Sequence, residues 1–152
     1  YHPGFESAYI VQTSTALGIR CSSRLVGEYQ LTEQDVLSCN VFEDTIAKGS
    51  WPIDVHNPQG EGTLLQFLPE GGSFSVPLRC LFNGSVDNLI TAGRSISASV
   101  KAHGAARIQA TAMATGQAAG VLGALIHQEG KPAVSINPSR VRNTLRTWGA
   151  VI

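Results

Sequence analysis

One part of the sequence combines glycines, an arginine and a histidine in an order that suits a flat, electron-rich ligand. The apolar segment 88–92 ends at Gly93 and Arg94, and His103-Gly104 opens a long run of small residues. Gly93 and Gly104 have no Cβ, so the backbone at both positions allows a ligand to approach closely. A helix that begins near Gly104 would direct its free N–H groups and its positive dipole end at negative charge on that ligand. The same small residues also suit plain packing of a helix onto a sheet, so both interpretations stay open.

His103 and Arg107 are the candidate catalytic residues of this stretch. Imidazole titrates near neutrality, so His103 is suited to donating or accepting a proton. Its alternative role is structural, as a helix cap or a partner of a backbone carbonyl. Arg107 falls in the first turn of the expected helix, where its charge opposes the helix dipole and calls for a nearby anion. That anion is either a bound ligand or an acidic side chain such as Asp87.

Hydrophobic spacing and capping residues predict five helical elements. Thr32 is a good N-cap, Asn137-Pro138 pairs an N-cap with a proline at the first helical position, and Gly149 is a suitable stop. In chain order, the predicted elements are a helix over 5–17, a short helix capped by Thr32 that runs through Cys39, a helical turn at 44–49, a long helix over about 105–128, and a last helix from Pro138.

Between these helices, β-branched and aromatic residues alternate with turn residues, which predicts a β-rich middle section. The predicted strands are residues 19–31, 53–56, 63–67, 73–82 and 88–92. Helices and strands therefore coexist, and the expected fold class is α+β.

Composition and charge exclude several classes of function. With 152 residues, 43% of them hydrophobic, the chain is long enough for one compact core. Lysine plus arginine and aspartate plus glutamate both number 11, so no net charge favours nucleic acid or an acidic membrane surface. The longest apolar run, 118–126, is about half of what a membrane-spanning helix needs, and we expect a soluble chain, with a cytoplasmic location favoured.

Motifs of other enzyme classes are missing from the sequence. It has no GxSxG, HExxH or P-loop, so hydrolase, metalloprotease and nucleotide-triphosphatase interpretations lack support. The cysteines Cys21, Cys39 and Cys80 form no CxxC pair, so we expect reduced, mostly buried thiols and no metal site.

Several segments, in their order along the chain, resemble the closing part of FAD-dependent oxidoreductases with a glutathione-reductase-like flavin domain. The resemblance covers nearly the whole chain. It is carried by Gly18-Ile19-Arg20, Arg24-Leu25-Val26-Gly27-Glu28-Tyr29, Leu31-Thr32-Glu33-Gln34-Asp35-Val36, Trp51-Pro52-Ile53-Asp54-Val55-His56, Val76-Pro77-Leu78-Arg79-Cys80-Leu81, Asn88-Leu89-Ile90-Thr91-Ala92-Gly93-Arg94, Ala102-His103-Gly104-Ala105-Ala106-Arg107 and Ala114-Thr115-Gly116-Gln117-Ala118-Ala119-Gly120.

The resemblance implies a fragment of an α/β FAD-binding fold. Residues 1–86 would then be a β-rich portion of the substrate domain, and residues 87–152 would supply the last strand and the carboxy-terminal helices of the FAD-binding domain. The helix from Gly104 would abut the isoalloxazine, whose N1 and C2 carbonyl edge becomes negative on reduction. The implied activity is hydride transfer between a small organic substrate and the flavin.

The same resemblance implies individual site residues. Those expected to bind the cofactor are Ala92, Gly93, Arg94, Gly104, Ala105 and Thr111. Those expected to bind the substrate are Arg24, His56 and Arg79. Structural alternatives stay open for most of the charged ones: Arg24 and Arg79 as strand-edge or salt-bridge residues, His56 as a strand residue, and Arg94 as a contact to the adenine-side half of the fold.

Two departures from the family pattern limit what the chain is expected to do alone. Cys21-Ser22-Ser23 stands where an acidic and a further basic residue usually follow Arg20. The GxGxxG that grips the FAD pyrophosphate is also missing, and Gly60-Glu61-Gly62 is interpreted as a turn.

The chain starts without methionine, so it is expected to be cut from a longer protein. We therefore expect FAD to be held only together with a missing amino-terminal FAD-binding segment. The surfaces that would meet that segment, along 105–120 and 89–92, should be exposed or covered by a second copy. The rival interpretation is a non-catalytic α+β assembly module that cannot bind FAD alone.

Overall fold

The computed structural model of the chain describes residues 3–16, 18–57 and 60–152. Within these ranges it has a mixed α+β fold, as predicted, with four α-helices and four short β-strands. The elements are α1 (Glu33–Leu37), β1 (Thr45–Gly49), β2 (Ile53–His56), β3 (Thr63–Gln66), β4 (Phe74–Pro77), α2 (Val100–Ala106), α3 (Gln109–Glu129) and α4 (Pro138–Thr147), with 3-10 turns at Leu78–Cys80, Gly93–Ser95 and Ala133–Ser135.

The strands form two separate antiparallel pairs. β1 pairs with β4, with a register irregularity between Thr45 and Ala47. β2 pairs with β3 as a hairpin in which Asp54 lies opposite Leu65. β4 is buried throughout and β1 is buried except at Lys48, whereas β3 is mostly exposed, so the first pair belongs to the core and the hairpin lies at its edge.

α3 is the longest element and organises the core. Its buried residues recur every three or four positions and face β1 and the Gly93–Ser95 turn. α4 packs on α3 and β1 through Val141 and Leu145, and α2 packs on β2. No helix in the described ranges is both long enough and apolar enough to cross a membrane.

Several predicted elements are confirmed because their signals are local. Thr32 caps α1 in a capping box with Asp35. Asn137 caps α4, which has a proline in its first turn, and Gly149 follows it with a positive φ of 78°. The strands predicted at 53–56 and 63–67 appear as β2 and β3.

Other predicted elements are wrong. In one case no other described part of the chain packs on the predicted helix, and in another a distant strand overrides the local helical preference. The described part of 5–17 forms no helix and is exposed, since no apolar face of it meets the core; Leu17 lies outside the described residues. In place of the helical turn predicted at 44–49, residues 45–49 form β1 because they pair with β4.

The remaining strand predictions are only partly met. Residues 19–31 and 88–92 contribute isolated bridges, Leu31 to Ala98 and Ile90 to Phe82, instead of strands. The strand predicted at 73–82 stops at Pro77, which leads into a 3-10 turn.

The predicted long helix is divided in two. Arg107 ends α2 by donating its backbone N–H to the His103 carbonyl, and Ile108 then takes an extended conformation with ψ of 156°. Helix α3 starts only at Gln109, so the open helix end lies five residues beyond Gly104.

Candidate functional site

A cavity of about 900 Å³ lies where α2 ends, α3 begins and the Gly93–Ser95 turn approaches both. Four predicted site residues line it: Gly93, Arg94, Gly104 and Arg107. Its size is typical of small-molecule and cofactor sites. Smaller concavities of about 600 Å³ lie at the carboxyl end of α3 and at the start of α4.

The amino terminus of α3 opens into this cavity. The first backbone hydrogen bond of the helix runs from Ala112 N to the Ile108 carbonyl, and no side chain caps the end. The N–H groups of Gln109, Ala110 and Thr111 therefore have no partner within the helix, and the first turn contains no acidic residue. Gln109 and Ala110 line the cavity, so an electron-rich group placed there meets free donors and the positive end of the dipole.

Arg107 is held at the cavity wall by a neutral acceptor. Its Nη2 donates to the backbone carbonyl of Asp54 at 3.1 Å. The expected alternative to a bound ligand was a salt bridge from Arg107 to an acidic side chain such as Asp87. The partner is instead Asp54, and it accepts through its main-chain carbonyl. No ion pair with a described carboxylate offsets this guanidinium beside the cavity.

Gly93 and Arg94 belong to a turn that packs against α3 at the cavity. Gly93 has a φ of 60°, which favours glycine, and its N–H donates to Thr115 Oγ1 at 2.9 Å. Arg94 Nη1 donates to the Ile19 carbonyl at 2.8 Å. The turn is therefore tied to α3 on one side and to the segment before Arg20 on the other.

His103 lies outside the cavity lining and is 2% exposed. Its Nε2 is 3.0 Å from the Arg94 carbonyl, and since a carbonyl only accepts, Nε2 carries the proton. Burial lowers the pKa of His103; the Arg94 carbonyl opposes this shift, while the charges of Arg24, Arg107 and Arg94 add to it. The contact is the structural alternative considered for this residue, and a catalytic role for His103 stays a prediction.

Gly104 lines the cavity, but the position that a Cβ would take is closely approached by protein atoms. A Cβ on it would lie 2.7 Å from the Asp54 carbonyl oxygen and 3.1 Å from Val55 Cγ2. The absence of a side chain therefore lets α2 pack on β2, which is the packing interpretation of this glycine.

The other residues predicted to bind the cofactor do not line the cavity. Ala105 is fully buried, and Ala92 precedes the Gly93–Ser95 turn. Thr111 is 1% exposed, and its Oγ1 has no hydrogen-bond partner among the described residues. Contacts of these three residues with a cofactor stay predictions.

The residues predicted to bind the substrate are not brought together. Arg24 donates from Nε to the Ala98 carbonyl at 2.9 Å and from Nη1 to Cys21 Sγ at 3.2 Å. His56 is exposed on the β2–β3 hairpin, where its Nε2 accepts from Arg20 Nη2 at 2.8 Å. Neither Arg24 nor His56 lines the cavity.

Arg79 lies at a different surface, in the salt bridge that was its structural alternative. Its Nε and Nη2 reach the two carboxylate oxygens of Asp44 at 3.0 and 3.3 Å. Its guanidinium lies 5.2 Å from the centre of the Tyr29 ring. The hydrogen bond to Asp44 raises the pKa of Arg79. Arg79 lies in the 3-10 turn that directly follows β4, so this ion pair lies at the end of that strand.

Arg20, Trp51, Asp54 and Gln109 line the cavity but were not chosen from the sequence. Arg20, Trp51 and Asp54 belong to segments that carry the family resemblance, and that resemblance was the one feature of the sequence that could have marked them as site residues. Asp54 Oδ1 is buried without a hydrogen-bond partner among the described residues. The three cysteines are free, as expected, but they are not mostly buried: Cys80 is buried, Cys39 is half-buried and Cys21 is exposed.

An open helix end beside arginines is an arrangement for a ligand with an electron-rich edge. The chain belongs to the FAD dependent oxidoreductase family, whose model matches residues 1–145. Searches among curated proteins and among solved structures gave no match. Family membership supports a flavoprotein oxidoreductase, with FAD as the cofactor of the family.

Proposed function

We propose that this chain supplies the flavin-facing and substrate-facing part of an FAD-dependent oxidoreductase of the glutathione-reductase-like type. The reaction is hydride transfer between a small organic substrate and the flavin. The observation that carries this proposal is the uncapped amino terminus of α3, which opens into the cavity next to Arg107.

The residues of the cavity fit a flavin ring by their chemistry. The free N–H groups of Gln109 and Ala110 match the electron-rich N1 and C2 carbonyl edge, and they favour its reduced, negatively charged form. Trp51 adds a flat apolar surface to the lining. When bound, the flavin supplies the hydride-accepting or hydride-donating atom.

The side chains at the cavity have two roles in this proposal: they place positive charge at its wall, and they position neighbouring backbone groups. Arg107, fixed by the Asp54 carbonyl, places its guanidinium at the cavity wall. His103 acts as a positioning residue, because its Nε2–H holds the Arg94 carbonyl and with it the turn that faces α3. We assign His103 this positioning role in place of direct proton transfer, because the side chain is buried and does not line the cavity.

An amino-terminal segment with a GxGxxG fingerprint completes the proposed FAD site. Residues 87–152 would belong with that segment and residues 1–86 with the substrate domain. α3 offers a surface for it: Met113 is 76% exposed, and Gly116, Gln117 and Gly120 are exposed along the same side. Leu89 is also 40% exposed. A helix that is apolar on both sides normally has partners on both sides.

The test is the binding of FAD, followed by absorbance between about 350 and 500 nm and by flavin fluorescence. It compares the chain alone with a longer protein in which an FAD-binding segment with GxGxxG precedes Tyr1. We expect a bound flavin spectrum in the longer protein, and only weak binding or none in the chain alone. A longer protein that takes up no FAD when FAD is supplied contradicts the proposal, and leaves the non-catalytic assembly module as the better account.

A matched pair of variants tests the role of the helix end in the longer protein. Ala110→Asp places a negative charge at the open first turn, while Ala110→Asn adds similar bulk without charge. We expect Ala110→Asp to weaken FAD binding about tenfold relative to Ala110→Asn, because the carboxylate occupies the donors and repels the electron-rich edge. Equal affinities in the two variants would contradict the proposed orientation.

A further inference from the structure

Three arginines converge on the cavity without a carboxylate partner. Arg20, Arg94 and Arg107 all line it. Their hydrogen bonds go to neutral acceptors: the His56 ring, the Ile19 carbonyl and the Asp54 carbonyl. The ion pairs found among the described residues all lie elsewhere.

The charge of the lining is strongly unbalanced. Asp54 is the only acidic residue among the described residues that line the cavity, against three arginines. Guanidinium groups stay protonated in proteins, and their planar forks match carboxylates and phosphates with two parallel hydrogen bonds. Such a lining attracts an anion, and the open end of α3 adds to the attraction.

A small concavity gives this charge a definite place. Arg20 and Arg94 also line a recess of about 80 Å³, together with Ile19, Ser22, Ser23 and Ser95. One water molecule takes up about 30 Å³, so the recess has room for a single small polar group and none for a ring system. Because both arginines also line the large cavity, the recess opens beside it.

We propose that this recess between Arg20 and Arg94 binds the carboxylate of a small organic acid whose remaining part extends into the cavity toward Arg107. The substrate of the proposed oxidoreductase would then be an acid. That second step rests on the proposed function, whereas the binding of the carboxylate does not.

The local sequence explains why the recess keeps its charge. Cys21, Ser22 and Ser23, which follow Arg20, are uncharged, so no neighbouring acid neutralises it. Serine hydroxyls can both donate and accept hydrogen bonds. They could therefore donate to carboxylate lone pairs that the arginines leave without a partner.

The test is calorimetric titration of the chain without FAD, at constant ionic strength in chloride, with succinate, acetate and inorganic phosphate. Arg20→Gln, Arg94→Gln and Arg107→Gln are compared with Arg146→Gln, which removes the same charge from the exposed end of α4. Arg20→Lys and Arg94→Lys keep the charge but lose the fork, and circular dichroism confirms that each variant is folded.

We expect succinate to bind saturably and more tightly than acetate, because only succinate reaches from the recess toward Arg107. Arg20→Gln and Arg94→Gln should each raise the Kd for succinate at least about tenfold, the lysine variants less, and Arg146→Gln not at all. Arg107→Gln should weaken succinate but leave acetate unchanged.

Three results would overturn the carboxylate site. One is phosphate binding in preference to both acids, which would assign the recess to a phosphate such as that of a cofactor. The second is an equal loss of affinity in Arg146→Gln, which would reduce the effect to general charge. The third is the absence of saturable acid binding. FAD binding without acid binding refutes only this inference, and acid binding without FAD binding refutes only the flavoprotein proposal.

Discussion

The contact between Gly104 and strand β2 makes a quantitative prediction for Gly104→Ala. The added Cβ would lie 2.7 Å from the Asp54 carbonyl oxygen, a distance that real Cβ atoms do not tolerate. The colliding atom is backbone: residue 54 is paired with Leu65 across the hairpin, and its carbonyl also accepts from Arg107. Because neither contact yields cheaply, α2 must move away from β2.

Gly120→Ala is the matched control. It makes the same substitution in helix α3, where the new Cβ meets nothing within 4 Å. Both variants gain about 0.5–1 kcal/mol from the better helix propensity of alanine, so this gain cancels in their difference. What remains is the cost of overpacking, about 1–3 kcal/mol against Gly104→Ala. For a chain of this length, that corresponds to a difference in Tm of roughly 2–12 °C.

The assay is urea unfolding followed by far-UV circular dichroism, together with the succinate titration. Gly104→Ala should be the less stable variant and should also bind succinate more weakly, because the displaced Asp54 carbonyl no longer fixes Arg107. Gly120→Ala should bind succinate like the unmodified chain. If Gly104→Ala proves as stable as Gly120→Ala, the close packing of α2 on β2 is wrong, and with it the explanation of this glycine.

Three further predictions concern single ionisable side chains. Burial lowers the pKa of His103, so the unfolded chain binds a proton at this side chain at a higher pH than the folded chain does. The free energy of unfolding in urea should therefore fall below about pH 6.5, with a slope of at most about 1.4 kcal/mol per pH unit. His103→Gln should remove this part of the pH dependence. Burial alone would raise the pKa of Asp35, but its hydrogen bonds, led by those from Asn40 and Thr32, lower it. Asp35→Asn should therefore cost about 1.5–3 kcal/mol in urea unfolding at neutral pH, and the difference should shrink as the pH falls below about 4. Asp54→Asn removes the negative charge from the cavity lining and should tighten succinate binding severalfold by calorimetry.

Features set by neighbouring residues could be predicted from the sequence. The caps of α1 and α4 depend on groups within three positions: Thr32 pairs with Asp35, and the Asn137 side chain accepts from the backbone N–H of Ser139. The strands of the β2–β3 hairpin were also found, since β-branched and turn residues mark them locally.

Features that depend on distant partners could not be predicted. Residues 44–49 have a helical pattern, yet they form a strand because β4, about 30 positions later, pairs with them. The sequence offered a salt bridge as the structural alternative for both Arg79 and Arg107, but Arg79 meets a carboxylate and Arg107 a carbonyl. That difference decides which arginine retains an unpaired charge, and it arises only once the chain is folded.

The break between α2 and α3 decides the chemistry of the candidate site. With one long helix from Gly104, His103 would have stood at the open helix end and faced the ligand. Because Ile108 is extended and α3 begins at Gln109, the free donors move past Arg107, and His103 turns back to bind the Arg94 carbonyl. Three of the four charged residues described at the cavity lining are arginines, which hold and orient anions but do not exchange protons. The cavity is therefore built to bind and position, and we expect substitutions of its arginines to change affinity for an acid before they change the pH dependence of any reaction.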